Sequence, residues 1–442
     1  MKFGTDGLRG PAGTVIDGVV AWRVGHGLGQ YVRQRYGSGV VAVGRDTRPS
    51  GPALLQAVVA GARAAGTDVV DLGVLPTPAL ASVVRAEDYG GAVMVTASHN
   101  LSADNGLKVL DRGGDKAGPA LRAALEAELA AMRSPVPWGA RGALLSARAL
   151  DAWDPCGGAQ LSGLHVVLDA ANGAGHDLGR VRLEAAGARV TVLGDGDGRR
   201  INLACGAVHP AQLVEAVARS GADVGIALDG DGDRLAMVIQ ALDSADAAQP
   251  AWLDGDAILW VLGHDLPAGG AIVGTVMSNL ALEHGLGARG ARFVRTAVGD
   301  AEVWAAMQAE GALLGGEPSG HLMFRGGAHD PVGSCGLATA ARVLALGLPT
   351  VRDRLARWRP ATQRSGVIAR AALPAELSSA DAIAARVAPA SARLLAEGAR
   401  VVVRPSGTEP IIRVMVEHAD PATADDGCKE LLSLLRADTG RS

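Results

Sequence analysis

The chain has 442 residues, enough for about three domains of ordinary size. Hydrophobic residues make up 48% and aromatics only 3%, so the core must be aliphatic, built from Ala, Val, Leu and Ile. A net charge of −4 without a basic block argues against nucleic acid as the main partner, no run approaches the ~18 apolar residues of a membrane span, and four scattered cysteines form neither a disulfide framework nor a zinc site.

The start, Met1-Lys2-Phe3-Gly4-Thr5-Asp6, has no apolar core or cleavage pattern and does not read as a signal peptide, which leaves the cytosol as the expected compartment. Val40 to Val43 reads as a strand running into the polar loop Gly44-Arg45-Asp46-Thr47-Arg48. A helix is expected from Pro52 to Ala65 and a strand from Val69 to Leu72, a βαβ pattern. The helix-to-strand junction Ala64 to Gly73 is repeated at Ala185 to Gly194 and, more loosely, from Ala288 through Val294 to Gly299. Copies roughly a hundred residues apart are domain-sized, which predicts three related α/β domains.

Ala92 to Val95 reads as a buried strand ending in Thr96-Ala97-Ser98-His99-Asn100. The carboxyl ends of strands carry the ligand crevice in open α/β folds, so Ser98 is expected at the mouth of a site with His99 beside it. Asn105-Gly106 signals a turn, and Lys108 falls on the strand that continues to Leu110. An Ala/Leu/Glu helix over 118–133 ends at Ser134-Pro135. The strand His165 to Leu168 leads into Asp169-Ala170-Ala171-Asn172-Gly173-Ala174-Gly175, a glycine-rich strand-to-helix turn of phosphate-binding form. Cys205 reads as structural.

In Asp229-Gly230-Asp231-Gly232-Asp233-Arg234 an apolar run leads in and another leads out. In extended backbone the three carboxylates share one face, and carboxylates without His or Cys suit a hard cation such as Mg²⁺. Unneutralised, they would repel one another. Gly230 and Gly232 are expected to leave room for the cation. After a polar excursion over 240–251 a helix is expected from Ala257 to Leu262, and Asp300 is placed as the N-cap of another. The loop Gly316-Glu317-Pro318-Ser319-Gly320-His321 offers Glu317 and Ser319 to ligand hydroxyls and His321 as a proton carrier near neutral pH. Last, Arg404-Pro405-Ser406-Gly407-Thr408-Glu409-Pro410, followed by Arg413, assembles guanidinium forks, hydroxyls and glycine N–H groups of the kind a phosphate accepts.

The motifs around Ser98, Asp229 to Arg234, Gly315 to His321 and Arg404 to Pro410, in that order and spacing, resemble the α-D-phosphohexomutase superfamily along essentially the whole chain. The opening Phe3 to Gly10 is closest to the branch acting on glucosamine phosphates. The resemblance implies three α/β domains (1–155, 156–250 and 251–361) and a smaller C-terminal α+β domain (362–442) around a central cleft. It implies a phosphoryl group on Ser98 and one Mg²⁺ held by Ser98, Asp229, Asp231 and Asp233. Lys108 becomes an electrostatic clamp or proton donor, and Arg9 a support of the phosphoserine region, with His99 and His321 close by. Glu317 and Ser319 become sugar contacts, and Arg404, Ser406, Gly407, Thr408 and Arg413 the cradle for the substrate's own phosphate. The implied reaction interconverts glucosamine 6-phosphate and glucosamine 1-phosphate in a soluble monomer or homodimer activated by a hexose bisphosphate, without nucleic acid or membrane. A phosphoglucomutase or phosphomannomutase, a metal-dependent phosphatase and a non-catalytic sugar-phosphate binder are the alternatives. Three departures from the family pattern are Pro318, in place of glutamine or methionine, Val332-Gly333-Ser334-Cys335, in place of Thr-Gly-Asp-Gly, and Leu101, in place of proline.

Overall fold

The computed structural model describes residues 3–4, 6–37, 39–130, 142–145, 153–240, 251–325, 333–405 and 410–436. The first sheet contains β1 (Leu8–Pro11), β2 (Val40–Arg45), β3 (Asp68–Val74), β4 (Gly91–Val95), β5 (Asp104–Leu110) and β6 (Leu144–Leu145), in the order β1-β5-β4-β2-β3-β6. The second holds β7 (His165–Asp169), β8 (Arg189–Leu193), β9 (Val224–Leu228), β10 (Leu235–Ile239) and β11 (Ala251–Leu253), in the order β11-β10-β9-β7-β8. The third holds β12 (Ala271–Thr275), β13 (Arg292–Thr296), β14 (Leu314–Gly316) and β15 (Leu322–Phe324), in the order β13-β12-β14-β15.

One unit recurs in all three. The first strand (β2, β7, β12) is flanked in parallel by the second (β3, β8, β13) and the third (β4, β9, β14), and the fourth (β5, β10, β15) closes antiparallel on the third. The repeated helix-to-strand junctions in the sequence are the entrances to the three second strands. Every residue of β4, β7, β9, β10 and β12 is buried, as expected of strands covered by helices on both faces. Their side chains contribute to one apolar core that runs through the three domains from Ala42 and Met94 through Leu168 and Leu228 to Ile272 and Leu322. A consequence for function is immediate. The loop between third and fourth strands carries Ser98 in the first domain, Asp229 to Asp233 in the second and Glu317 to His321 in the third. Three copies of one hairpin loop converge.

The C-terminal domain is different: β16 (Thr362–Ala369), β17 (Arg400–Pro405) and β18 (Ile411–His418) form an antiparallel sheet in the order β16-β18-β17. Helices Ala380–Ala396 and Pro421–Leu435 cover it, with their own core around Ile412, Val414 and Leu431. It meets the third domain through polar pairs. Gln363 Nε2 donates to the Met277 carbonyl at 3.1 Å and the Leu280 N–H to Glu417 at 2.7 Å, while Asn279 exchanges two bonds of 3.0 Å with the backbone of Ala361, where the third domain ends.

Beside this joint Asp256 is 2% exposed and accepts the Asn279 N–H at 2.7 Å. Burial, then the neighbouring Asp254, pushes its carboxyl up to about 8. An unfolded aspartate titrates near ~4, so between that pH and about 8 the folded chain holds a proton the unfolded chain has lost, and stability falls as pH rises through that window. Asp256→Asn keeps the acceptor oxygen and removes the titration. We expect the variant to match the wild type at pH 4.5 and to unfold at higher urea concentration at pH 8.5, by a few kcal/mol at most on the order-of-magnitude scale of one shifted carboxyl. Parallel urea midpoints across that range would refute it.

Candidate active site

Ser98 adopts a φ of 51°, in the left-handed region that a non-glycine residue occupies only where its surroundings hold it. Arg48 does the holding. It is fully buried, pairs with Asp46 at 2.8 Å, and donates to the carbonyls of Ser98 (2.9 Å), Asn100 (2.7 Å) and Asp104 (2.9 Å) and to that of Leu101. From the second domain Asn202 Nδ2 donates to the same Ser98 and Asn100 carbonyls at 2.8 and 2.9 Å. The Ser98 N–H donates to Thr96 Oγ1 at 2.9 Å, and that hydroxyl donates to Asp46 at 2.7 Å. These bonds hold the Ser98 backbone without using its hydroxyl, which donates to Asp229 Oδ2 at 2.7 Å.

Asp229, Asp231 and Asp233 are buried, with one oxygen from each lying within 4.8 Å of the others. Their backbone is not the extended segment expected. It is the tight β9–β10 hairpin loop, with Gly232 at φ 74°, and it is the turn that brings the carboxylates together. Gly230 also has another purpose than the expected one. A Cβ there would lie 2.7 Å from the Ser98 carbonyl and 2.8 Å from Asn202 Nδ2, so its bare backbone lets the two loops touch. The glycine-rich turn after β7 likewise presents no free cradle at its start: the Ala174 N–H donates to the Gly230 carbonyl at 2.8 Å, so the turn seats the aspartate loop. Cys205 is buried beside Asn172, consistent with a structural role.

Lys108, 4% exposed, donates to Asp231 Oδ2 at 2.6 Å and Asp233 Oδ2 at 2.8 Å. Burial works against its charge, but Asp231 and Asp233 outweigh burial and hold the ammonium well above the ordinary lysine range. Asp233 goes the other way: burial opposes ionisation, and Lys108, then His321 and Arg234, drive its carboxyl well below the usual range. Asp229 has no such lysine. Burial and the two neighbouring carboxylates push it up to about 8. Asp231 Oδ1 and Asp233 Oδ1 are buried without a hydrogen-bond partner. Three carboxylates, one of them (Asp229) pushed up by burial and by its two neighbours, with two orphaned oxygens, fit a hard divalent cation.

His321 lies with Nδ1 3.7 Å from Asp233 Oδ1 and Nε2 3.5 Å from Asp300 Oδ2. Asp300 is not the expected N-cap. Gly299 occupies the cap and Asp300 is the first residue of the helix Asp300–Glu310, its carboxylate turned to Lys116 and His321. The Gly299 N–H donates to Glu317 Oε1 at 3.1 Å. Ser319 is half-buried in the same loop. His99 is half-buried, its Nδ1 has no partner, and burial followed by Arg234 and Arg9 pushes its imidazole down to about 4. It is therefore neutral at pH 7. Arg9 on β1 lies 3.5 Å from Asp6. In the altered stretch, Ser334 Oγ donates to the Asp233 carbonyl at 2.6 Å and accepts the Leu322 N–H at 3.0 Å, tying the aspartate loop to β15.

Arg404 and Arg413 lie on the C-terminal sheet as a directly opposed cross-strand pair. Two like charges facing each other across a ladder repel, which makes the pair receptive to an anion. Arg404 Nε is buried without a partner, and both residues border a cavity of about 70 Å³. Ser406, Gly407 and Thr408 lie outside the described residues. Arg48, Asn202, Lys116 and Asp300 are the supporting residues that the sequence reading did not assign to the site.

Comparison with known proteins agrees with this architecture. Residues 1–135, 156–242, 254–359 and 369–434 match phosphoglucomutase/phosphomannomutase α/β/α domains I, II and III and the C-terminal domain. The chain belongs to the phosphoglucomutase/phosphomannomutase family. It is 40% identical to a phosphoglucosamine mutase of Frankia alni, with 98% of each chain covered. It is 39% identical to that of Synechococcus elongatus, covering 94% of this chain and 90% of the relative. Among solved structures, a phosphoglucomutase/phosphomannomutase family protein of Burkholderia thailandensis superposes with a TM-score of 0.75 at 25% identity over 96% of this chain and 95% of its own. An N-acetylphosphoglucosamine mutase of Aspergillus fumigatus, solved with GlcNAc-6P and magnesium, shares the fold with a TM-score of 0.62 at 17% identity, covering 99% of this chain and 95% of its own.

Proposed function

We propose that this chain is a phosphosugar mutase, an intramolecular phosphotransferase of the isomerase class, that interconverts glucosamine 6-phosphate and glucosamine 1-phosphate through phospho-Ser98. The observation that carries the reading is the Ser98 hydroxyl 2.7 Å from Asp229, in a carboxylate cluster whose Asp233 lies 3.7 Å from His321 of the third hairpin loop. Names of relatives at 37–40% identity support the hexosamine substrate.

In the resting state Ser98 bears the phosphoryl group. The substrate's own phosphate docks on Arg404 and Arg413, with Ser406, Gly407 and Thr408 of the same loop, and Glu317 and Ser319 take sugar hydroxyls. The free hydroxyl then faces Ser98. Its oxygen bonds to phosphorus as the phosphorus–Oγ bond breaks, its proton passes to His321, and Oγ takes up a proton as it is released. Lys108 is the charged donor beside the aspartates for that step. Asp229, Asp231 and Asp233, with Ser98, hold Mg²⁺, which when bound supplies charge neutralisation for the phosphoryl group in flight. The resulting bisphosphate turns end for end, and Ser98 takes back the other phosphoryl group. Because the bisphosphate is the intermediate, a free hexose bisphosphate reloads Ser98 and acts as activator. The C-terminal domain closes over the substrate and excludes water, which would otherwise divert the reaction to hydrolysis. No described helix is long and apolar enough to cross a membrane. The reading places the enzyme in the cytoplasm, as a monomer or homodimer feeding amino sugar to cell-wall precursors.

Pro318 and the 332–335 stretch, of which Val332 lies outside the described residues, depart from the family pattern, which keeps phosphoglucomutase or phosphomannomutase activity as the second reading. The test compares turnover of glucosamine, glucose and mannose 6-phosphates by the Mg²⁺-loaded, phosphorylated chain. Glucosamine 6-phosphate is expected to be fastest. A lower kcat/KM for it than for glucose 6-phosphate overturns the substrate assignment, and stoichiometric release of inorganic phosphate overturns the mutase.

A further inference from the structure

The helix corner at Gly299-Asp300 touches both working side chains of the third-domain loop. The Gly299 N–H holds Glu317 at 3.1 Å, and Asp300 Oδ2 lies 3.5 Å from His321 Nε2. Lys116 pins that corner to the first domain. Lys116 closes the turn after β5, where it bridges to Leu110, and its ammonium ion pairs with Asp300 on one side and with Asp6 of the N-terminal segment on the other. Lys116 and Asp300 are 32% and 13% exposed, so the contact is largely withdrawn from solvent. Burial works against the Lys116 charge, but Asp300 and Asp6 outweigh it and raise its pKa. Lys116, Asp300, His321 and Asp233 line one cavity of about 330 Å³ between the first and third domains.

Ser98 belongs to the first domain and the sugar loop to the third. Transfer requires the two to be in register, and a displacement of about 1 Å can lower a rate about a hundredfold. We propose that Lys116 is a positioning residue for phosphoryl transfer: by clamping Asp300 to Asp6 it sets the Glu317–His321 loop against Ser98. This rests on the reading of that loop as sugar-binding. Lys116 acts through Asp300.

The test measures kcat, KM and inorganic phosphate released per turnover for the full chain with Mg²⁺, using glucosamine 6-phosphate and normalising rates to the phosphoserine content read by intact mass. Lys116→Met is expected to lose roughly tenfold to a hundredfold in normalised kcat, with KM changed less than about threefold because the phosphate cradle is untouched. Phosphate release per turnover should rise, since a misplaced hydroxyl competes less well with water. A merely structural role would lower the active fraction and leave both normalised quantities unchanged. Lys116→Arg should recover most of the loss, and Lys116→Met with Asp300→Asn together should be no worse than the more damaging single change. Wild-type-like normalised kcat in Lys116→Met, or losses that multiply in the double variant, overturns the proposal. Asp300→Asn alone, nearly isosteric, decides the matter if Lys116→Met does not fold: unchanged kcat and phosphate release there overturn it equally. A wild type inactive on every hexose phosphate removes the mutase reading itself and this inference with it, an outcome distinct from the variant results.

Discussion

Ser98→Ala is expected to abolish turnover, lowering kcat by on the order of 10⁴-fold or more, while leaving the fold and the metal site in place. The separation of the two effects follows from how the loop is built. The left-handed backbone at Ser98 is held through its carbonyl by Arg48 and Asn202, and through its N–H by Thr96; none of these bonds uses the hydroxyl. Alanine removes one buried hydrogen bond, that to Asp229, a change of about 1 kcal/mol. The three carboxylates stay on the β9–β10 hairpin. The variant should therefore melt within a few degrees of the wild type, still titrate Mg²⁺ through its three aspartates but more weakly than the phosphorylated wild type, and show no phosphate adduct by intact mass after incubation with glucose 1,6-bisphosphate. The wild type should gain one adduct, mapped to Ser98. Turnover above about 1% of wild type, or an adduct on another residue, would take the nucleophile's role away from Ser98.

The parts of this site legible in the sequence are those in which side-chain chemistry is packed into a short run. Asp229 to Asp233 announces itself because three carboxylates at alternate positions need a cation whatever their backbone does. The repeated helix-to-strand junctions were readable because each domain reuses one βαβ unit, and the repetition places three motifs on equivalent loops. The backbone conformation of the aspartate loop was not readable, because alternate residues share a face in a strand and can also converge in a tight turn, and two glycines permit either. Arg48 was opaque for a different reason. An arginine in a polar loop is usually solvated, and what buries this one is a set of backbone carbonyls from Ser98 to Asp104, which carry no signal in residue type. Asp300 was misplaced because an aspartate opening a helix ordinarily caps it. Here glycine takes the cap, and two partners from distant sequence, Lys116 and His321, claim the carboxylate.

Lys108→Met should separate the two cations of the site. Lys108 is buried between Asp231 and Asp233, within 2.6 and 2.8 Å of them, and it neutralises charge that a metal bound there would also neutralise. Removing one partner of a buried ion pair leaves an uncompensated charge, typically a loss of about 3–5 kcal/mol. In chelator the variant is therefore expected to melt well below the wild type. In Mg²⁺ the deficit should shrink, because a cation that binds only the folded chain stabilises it by mass action, and it binds more tightly once the competing ammonium is gone. The dependence of melting temperature on Mg²⁺ should thus be steeper for Lys108→Met than for the wild type. Activity should move the opposite way. With Mg²⁺ saturating, kcat should fall by roughly 10²–10³-fold, since a fixed cation beside the transferring group, and the proton it can lend, is missing. If melting in chelator is unchanged, the Lys108 ammonium is not balancing the aspartates. If kcat at saturating Mg²⁺ stays within a fewfold of wild type, its charge stabilises the loop and takes no part in transfer. The assigned double role requires the apo protein to weaken and the metal-saturated protein to stall.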